Sequence, residues 1–103
     1  MGNLFQKLTD ELSLGADTLR QWVLLSDDGA VLAQAVAECS AGVLEMSISE
    51  RGEGDAALSL SMTVSEDGQV LEISGVSGDS VNPELDFVRA FWAQTATMKE
   101  LKD

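Results

Sequence analysis

Hydrophobic and polar residues alternate through the middle of the chain, which is typical of strands that bury one face of a sheet. Residues 43–49 and 57–64 each place an apolar side chain at every second position, with serine, threonine or glutamate between them. The apolar set comprises Leu44, Met46, Ile48, Leu58, Leu60, Met62 and Val64. This one-sided alternation predicts antiparallel strands whose other face is wet.

A turn of sequence Asp-Asp-Gly at 27–29 predicts a hairpin before these strands. It joins the apolar run 22–25 to residues 30–38, and Asp-Gly is among the strongest hairpin signals. The alanine-rich stretch 30–38 also suits a helix. Because the turn stands directly before it, we interpret 30–38 as a strand.

A second turn, Glu-Asp-Gly at 66–68, leads into a fifth strand over 70–76. Alternation there predicts that Leu71 and Ile73 face inward and that Glu72 faces outward. The outward face of the strands is expected to be flat and polar, and it carries Glu45, Ser47, Ser49, Ser59, Ser61, Thr63, Glu72 and Ser74.

The chain begins with an amphipathic helix. Asn3 is expected to cap it, Gln6 completes a capping-box pattern, and Gly15 is a suitable stop. Its apolar residues recur at spacings of three and four, namely Leu4, Phe5, Leu8 and Leu12.

A second helix is predicted from Asn82, the N-cap, and Pro83, its first residue, as far as Leu101. It carries two apolar faces, one with Leu85, Val88 and Trp92 and the other with Phe87, Phe91, Met98 and Leu101. One face would pack on the sheet and the second would remain for a partner. Alternatively, the whole helix lies deep in one core.

The element order helix, five strands, helix predicts a single α+β domain over residues 1–103. Parallel strands would need helical crossovers, and the sequence offers none. We therefore expect a five-stranded antiparallel sheet with the N- and C-terminal helices packed on one face.

A net charge of −12 changes the picture of possible partners. Such a field repels nucleic-acid phosphates and anionic membranes, and it attracts basic proteins. The alternative is that the acidity serves only solubility. No apolar run approaches the roughly 20 residues of a membrane span, and a secretory signal is not recognised, so a cytoplasmic location is expected.

The sequence offers little chemistry. It has no histidine, which excludes the usual catalytic triads, and Cys39 is its one cysteine. Cys39 is expected to be a small, partly buried residue at a strand end. The acidic turns lack the spacing of a calcium loop. We therefore predict a protein that is not an enzyme and has no cofactor or metal ion.

Three stretches resemble the class I chaperones of bacterial type III secretion. They are the opening helix over 4–15, the strands around the 27–29 turn, and the closing segment 85–101 with its interspersed aromatic residues. That family consists of acidic α/β homodimers that hold the N-terminal segment of an effector in extended form. The resemblance thus implies a secreted effector as partner and a homodimer as assembly. Where the family has a helix between its third and fourth strands, Glu50–Ala56 is predicted here to be a polar loop.

The leading hypothesis is a non-enzymatic protein-binding module, a small acidic chaperone or adaptor for a protein such as a secreted effector. Exposed apolar side chains of the two helices would contact a segment of the partner, and negative charge would steer it. The predicted contact residues are Leu4, Phe5, Leu8, Phe87, Phe91, Met98 and Leu101.

The alternative hypothesis is an acidic inhibitor, either an immunity protein or a phage-encoded antagonist, that mimics nucleic acid and blocks a basic enzyme surface. Binding of that kind would weaken steeply with salt, whereas apolar binding would survive it. The contact set would be Asp27, Asp28, Glu45, Glu50, Glu53, Asp55, Glu66, Asp67 and Glu72.

Overall fold

Two helices pack on one face of a six-stranded antiparallel sheet in a computed structural model, which describes residues 3–50, 58–76 and 78–101. In chain order the elements are α1 (Leu4–Leu12), β1 (Thr18–Leu25), β2 (Val31–Ser40), β3 (Val43–Glu50), β4 (Leu58–Ser65), β5 (Val70–Ser74), α2 (Pro83–Thr95) and β6 (Lys99–Leu101). The predicted α+β class is confirmed. The alanine-rich β2 is a strand, as the preceding turn indicated.

The first five strands form a meander, and β6 then returns to the far edge beside β1, giving the order β5-β4-β3-β2-β1-β6. The prediction of five strands and of a last helix reaching Leu101 was wrong. Helix α2 ends at Thr95. Just beyond it, the Thr97 amide donates a hydrogen bond to the Gln94 carbonyl and the Met98 amide donates one to the Thr95 carbonyl, both at 3.1 Å. Both hydrogen bonds join residues three apart, so the helix closes in a tight turn. Thr95 and Thr97 stand at this end, and threonine has a low helix propensity.

Both helix starts follow the capping pattern in the sequence. The Asn3 side chain accepts a hydrogen bond from the Gln6 amide at 2.9 Å, and that of Asn82 accepts one from the Leu85 amide at 3.1 Å. The end of α1 differs from the prediction. It comes at Leu12, because Ser13 adopts the left-handed conformation with φ 55° and serves as the C-cap.

The inner face of the sheet has small residues on β2 and large ones around them. Ala33, Ala35 and Ala37 occupy the inward positions of β2, and Trp22 of β1 stands directly opposite Ala35. Helix α2 supplies the missing bulk with Phe91, whose ring meets that of Trp22 edge-on at 5.6 Å. The remaining inward side chains are those of Leu44, Met46, Ile48, Leu60, Met62 and Val64, with Leu8, Leu12 and Phe87 from the helices.

Alternation correctly predicted the inward side chains of β3 and, in β4, those of Leu60, Met62 and Val64, but it misplaced one residue of β5. The predicted inward side chain of Leu58 lies outside what the structure describes. Val70 pairs with Val64 and Glu72 pairs with Thr63, so Leu71 is an extra residue at a bulge. It is therefore 57% exposed instead of facing inward. The predicted loop Glu50–Ala56 lies, beyond Glu50 itself, outside the described residues.

We predict that Phe91→Ala lowers the free energy of unfolding by about 3–5 kcal/mol, because it empties a fully buried site between Trp22 and Phe87. Urea denaturation measures this directly. Leu85→Ala is the matched control on the same helix. Leu85 is 40% exposed, so its loss is expected to be below about 1 kcal/mol. Equal losses for the two variants would contradict this account of the core.

Candidate protein-binding surfaces

Three of the apolar residues predicted to contact a partner lie in the core. Leu8, Phe87 and Phe91 have no exposed surface, so the assignment of the Phe87 and Phe91 side of α2 to a partner was wrong. The reason is the small inward face of β2, which large side chains from outside that strand fill. On the opposite stripe of α2, Leu85 is 40% exposed, whereas Val88 is partly buried against the core.

The other four predicted contact residues are divided between the two sides of the sheet. Leu4, Phe5 and Met98 are partly buried and pack against the core on the helix side. Leu101, which is 49% exposed, belongs to β6 and pairs with Gln21 of β1. Because Gln21 follows the inward Arg20 and precedes the inward Trp22, it faces away from the helices, and Leu101 shares that face.

A shallow groove of about 280 Å³ runs between the N-terminal halves of α1 and α2. Its apolar walls are Leu4 and Leu8 from α1 and Leu85 and Val88 from α2. The polar lining comes from Lys7, Asn82 and Glu84. The groove is one accessible apolar feature of the helix side.

The face of the sheet without helices, the open face, carries an aliphatic patch that the sequence reasoning missed. Gln21 lies at its centre. Its cross-strand partners are Leu101 on β6 and Val36 on β2, and its same-face neighbours along β1 are Leu19 and Val23. We call Leu19, Val23, Val36 and Leu101 the aliphatic patch. The alternation Leu19, Gln21, Val23 is present in the sequence, but the predicted first strand began only at Trp22, and Leu101 was predicted to lie in a helix.

The exposure of the aliphatic patch is large at its rim and small at its middle. Leu19 and Leu101 are each 49% exposed, whereas Val23 is only 8% exposed although no helix covers it. Leu25 and Leu32, at 47% and 41% exposed, lie beside the β1–β2 hairpin, where the register of the two strands shifts after Leu24. A contiguous exposed surface of this kind is where proteins bind other proteins.

Beyond the patch, the open face is polar, as predicted for that part of the sheet. Its hydroxyl groups line β3 to β5, and Ser61 Oγ lies 2.7 Å from Ser74 Oγ. Three carboxylates share one cross-strand row with Leu19. That row reads, from β1 to β5, Leu19, Glu38, Glu45, Thr63 and Glu72. Glu38 was absent from the predicted acidic set, although it shares the outward side of β2 with Gln34 and Val36.

The predicted acidic contact set does not form one surface. Glu45 and Glu72 lie on the open face, and Asp27, Asp28 and Glu50 lie at the end of the sheet that holds the β1–β2 hairpin. The Glu66 and Asp67 turn is at the opposite end, where the Glu66 amide bonds the Gly42 carbonyl at 2.8 Å. Glu53 and Asp55 lie outside the described residues.

The described basic residues are absent from the middle of the sheet and lie on α1, β1, α2 and β6. Between Arg20 and Arg89 the sequence holds a single basic residue, Arg51, which lies outside the described residues. The described parts of β2 to β5 therefore contain carboxylates and no Lys or Arg. Lys99 is on the open face at the β6 edge, opposite Val23.

Arg20 is held within the structure, on the inner face of β1. Its guanidinium forms a bidentate salt bridge with the Glu100 carboxylate of β6, with N···O distances of 2.6 and 2.9 Å. It also donates a hydrogen bond to the Leu12 carbonyl at 2.7 Å. It also lies 4.9 Å from the centre of the Trp22 ring. The Glu100 hydrogen bond raises the pKa of Arg20. These contacts join β6 and the end of α1 to β1.

Cys39 borders a cavity of about 210 Å³ between α1 and the β2–β3 turn. Burial raises the pKa of the thiol, and the nearby carboxylates of Asp17 and Glu66 raise it further. The thiol is thus kept protonated, which disfavours nucleophilic chemistry. Among the residues described, no group of three or more His, Cys, Asp or Glu could hold a metal ion. Neither described helix has the length and apolar character to cross a membrane.

Comparisons with known proteins add no relative: no family model, no curated protein and no solved structure matches the chain. The resemblance to type III secretion chaperones therefore stays a prediction. The function must be argued from the surfaces themselves.

Two hairpin turns share one electrostatic design. The Ser26 hydroxyl and then the Ala30 amide donate to the Asp28 carboxylate and lower its pKa. The Ser65 hydroxyl, with the amide four residues later, lowers the pKa of Asp67 in the same way. Folding thus favours the ionised carboxylates. This contribution to stability is complete above the pKa of an unfolded Asp and is lost as the pH falls through the folded pKa.

We expect Ser26→Ala to raise the pKa of Asp28 towards its ordinary value and to leave that of Asp67 lowered, because each serine acts only in its own turn. A carbon-13 NMR titration of the side-chain carboxyl groups measures both in one sample. The unmodified second turn is the internal control. An unchanged Asp28 in this variant would show that the hydroxyl is not the cause.

Native Cys39 should react with iodoacetamide at pH 8 at least about tenfold more slowly than the same thiol in urea, because the fold buries and protonates it. The matched control is the double variant Cys39→Ser/Ser40→Cys. It moves the thiol to the next position, which is exposed, and is expected to react fast in the native state. Equal native rates at the two positions would contradict the described environment.

Proposed function

We propose that the protein is a non-enzymatic protein-binding module, an acidic adaptor or chaperone that binds its partner through the open face of the sheet. The observation that carries the proposal is the aliphatic patch around Gln21. Two helices cover the other face completely enough to bury a core, whereas no described element of the chain covers this one.

The patch has the composition of a binding surface rather than of a solvated sheet. A wet sheet face ordinarily presents polar side chains, as β3 to β5 do here. On β6, β1 and β2 leucine and valine surround Gln21 instead, and the two leucines leave half of their surface in water. Covering them is favourable by about 25 cal/mol for each Å² of apolar surface removed from water.

The chaperone form of the proposal follows from the resemblance of the two helical ends to type III secretion chaperones. In that form, the protein would hold a segment of a secreted effector at the aliphatic patch. The adaptor form needs only a partner with a complementary apolar surface. Both forms bind at the same patch, so one set of variants tests both.

The inhibitor hypothesis has less support. A nucleic-acid mimic presents negative charges in a continuous series, as phosphates do. The carboxylates assigned to that role are dispersed over both ends of the sheet and the open face. We therefore place this function second, and the salt dependence of binding distinguishes it.

We predict that Leu19→Ser/Leu101→Ser weakens partner binding by roughly 30-fold, because about 2 kcal/mol of apolar contact is lost. The matched control, Leu71→Ser/Leu85→Ser, removes two leucines of similar exposure outside the patch. Proteins captured from the source cell at about 1 M salt, where charges are screened beyond roughly 3 Å, are quantified for each variant by mass spectrometry.

The proposal requires a partner that wild type and control retain and the patch variant loses. If both variants retain the same proteins, or if capture disappears at high salt for wild type, the aliphatic patch is not the binding site. Loss at high salt would favour the inhibitor function instead.

A further inference from the structure

We infer that the occupant of the aliphatic patch is a basic polypeptide segment, whose apolar side chains contact the patch and whose Lys or Arg side chains lie over Glu38 and Glu45. The inference rests on the proposed function, since it names the partner of the same face. It is carried by the juxtaposition of exposed leucines with carboxylates that no described cation of the chain neutralises.

The arrangement begins at the rim of the patch. Leu19 on β1 pairs with Glu38 on β2, which pairs with Glu45 on β3, so the three side chains lie in one row across neighbouring strands. Adjacent strands are about 4.8 Å apart. A segment that covers Leu19 therefore has its next residues within reach of both carboxylates.

Glu38 and Glu45 are also an unfavourable pair by themselves. Like charges directly opposite each other destabilise a sheet. The next residues in their row are Leu19 and Thr63, and the described parts of β2 to β5 hold no Lys or Arg. A cation from a partner would relieve this repulsion as it binds, which adds electrostatic complementarity to the apolar contact.

A second copy of the chain fits this face less well. It would bring a further charge of −12, and on the described part of its own open face Lys99 stands against three glutamates. Nucleic acid is repelled by the same carboxylates. A positively charged polypeptide satisfies both halves of the surface, the aliphatic and the acidic.

The face sets a modest size for the segment. From β6 to β3 is three strand spacings, about 14 Å. About four or five extended residues, or fewer than three helical turns, cover that distance. The minimum partner is thus a short sequence in which leucine-like residues stand next to lysine or arginine.

The probe for this inference is a soluble synthetic peptide of twelve or so residues containing two leucines and four lysines, titrated into the isotopically labelled full chain at about 0.1 M salt. Two companion peptides carry glutamate in place of lysine or serine in place of leucine. We expect amide shifts centred on Gln21, Val36 and Glu38 for the first peptide, and none of comparable size for either companion.

The decisive comparison is between two double variants with the same change in charge. Glu38→Gln/Glu45→Gln removes the carboxylates beside the patch, whereas Asp27→Asn/Glu50→Gln removes two at the hairpin end of the sheet. We expect the first to weaken the peptide by about tenfold or more and the second by less than about twofold, because only close charges couple strongly.

Equal weakening by the two variants would overturn the inference, since net charge alone would then explain binding. It is overturned equally if the shifts map to the helix groove, or if sedimentation shows that a second copy occupies the patch. If no basic peptide binds while Leu19→Ser/Leu101→Ser still abolishes partner capture, the basic segment is wrong and the proposed function stands. If the peptide binds as expected but that leucine variant retains every partner, the proposed function is the one that fails.

Discussion

The difference in size between the side chains of β2 and those around them governs the rest of the structure. Three alanines on the inner face of this central strand leave a depression that β2 itself cannot fill. Trp22 enters it from β1 and Phe91 from α2, and their edge-on contact at 5.6 Å joins the two layers. Because both phenylalanines of α2 are engaged there, Leu85 on the opposite side of the helix is left exposed. The two helices thus cover the inner face of the sheet, whereas no described helix covers its open face.

Much of this architecture could be predicted from local sequence. The alternation around Met46 and Met62 indicated which side of β3 and β4 is buried, and Asn3 and Asn82 marked the starts of both helices. These features depend on neighbours in the chain, which is why a single sequence discloses them. The bulge at Leu71 shows the limit, since one extra residue reverses the alternation without any composition signal.

The misassigned residues depend on long-range placement. Periodicity shows that α2 has two apolar stripes, but the choice between the Phe87 and Leu85 stripes depends on what lies beneath the helix. Strand β6 has only three residues, Lys99 to Leu101. Over so short a stretch, the hydrophobic pattern of a strand cannot be distinguished from that of the last turn of a helix. The aliphatic patch exists only because β6 lies next to β1, so it could not be recognised before that pairing was known.

Charge and apolar packing also meet at β6. The guanidinium of Arg20 holds Glu100 on the inner side of this short strand, and Leu101 then projects on the other side. Glu100 thus attaches β6 to the edge of the sheet, and its neighbour Leu101 completes the aliphatic patch on the open face. The acidic half of that face requires no such support, because β2 and β3 are adjacent in the chain.

The position of β6 has a consequence for how the protein folds. Strands β1 to β5 pair with their neighbours in sequence, so they close only short loops. By contrast, the contact between Arg20 and Glu100 spans 80 residues, and the entropy of closing a loop rises with its length by about 0.6 kcal/mol for each doubling. The meander can therefore form early, and β6 is added last. A chain still emerging from the ribosome would hold an ordered β2–β3 surface but an incomplete aliphatic patch, which is completed only when synthesis has passed Leu101.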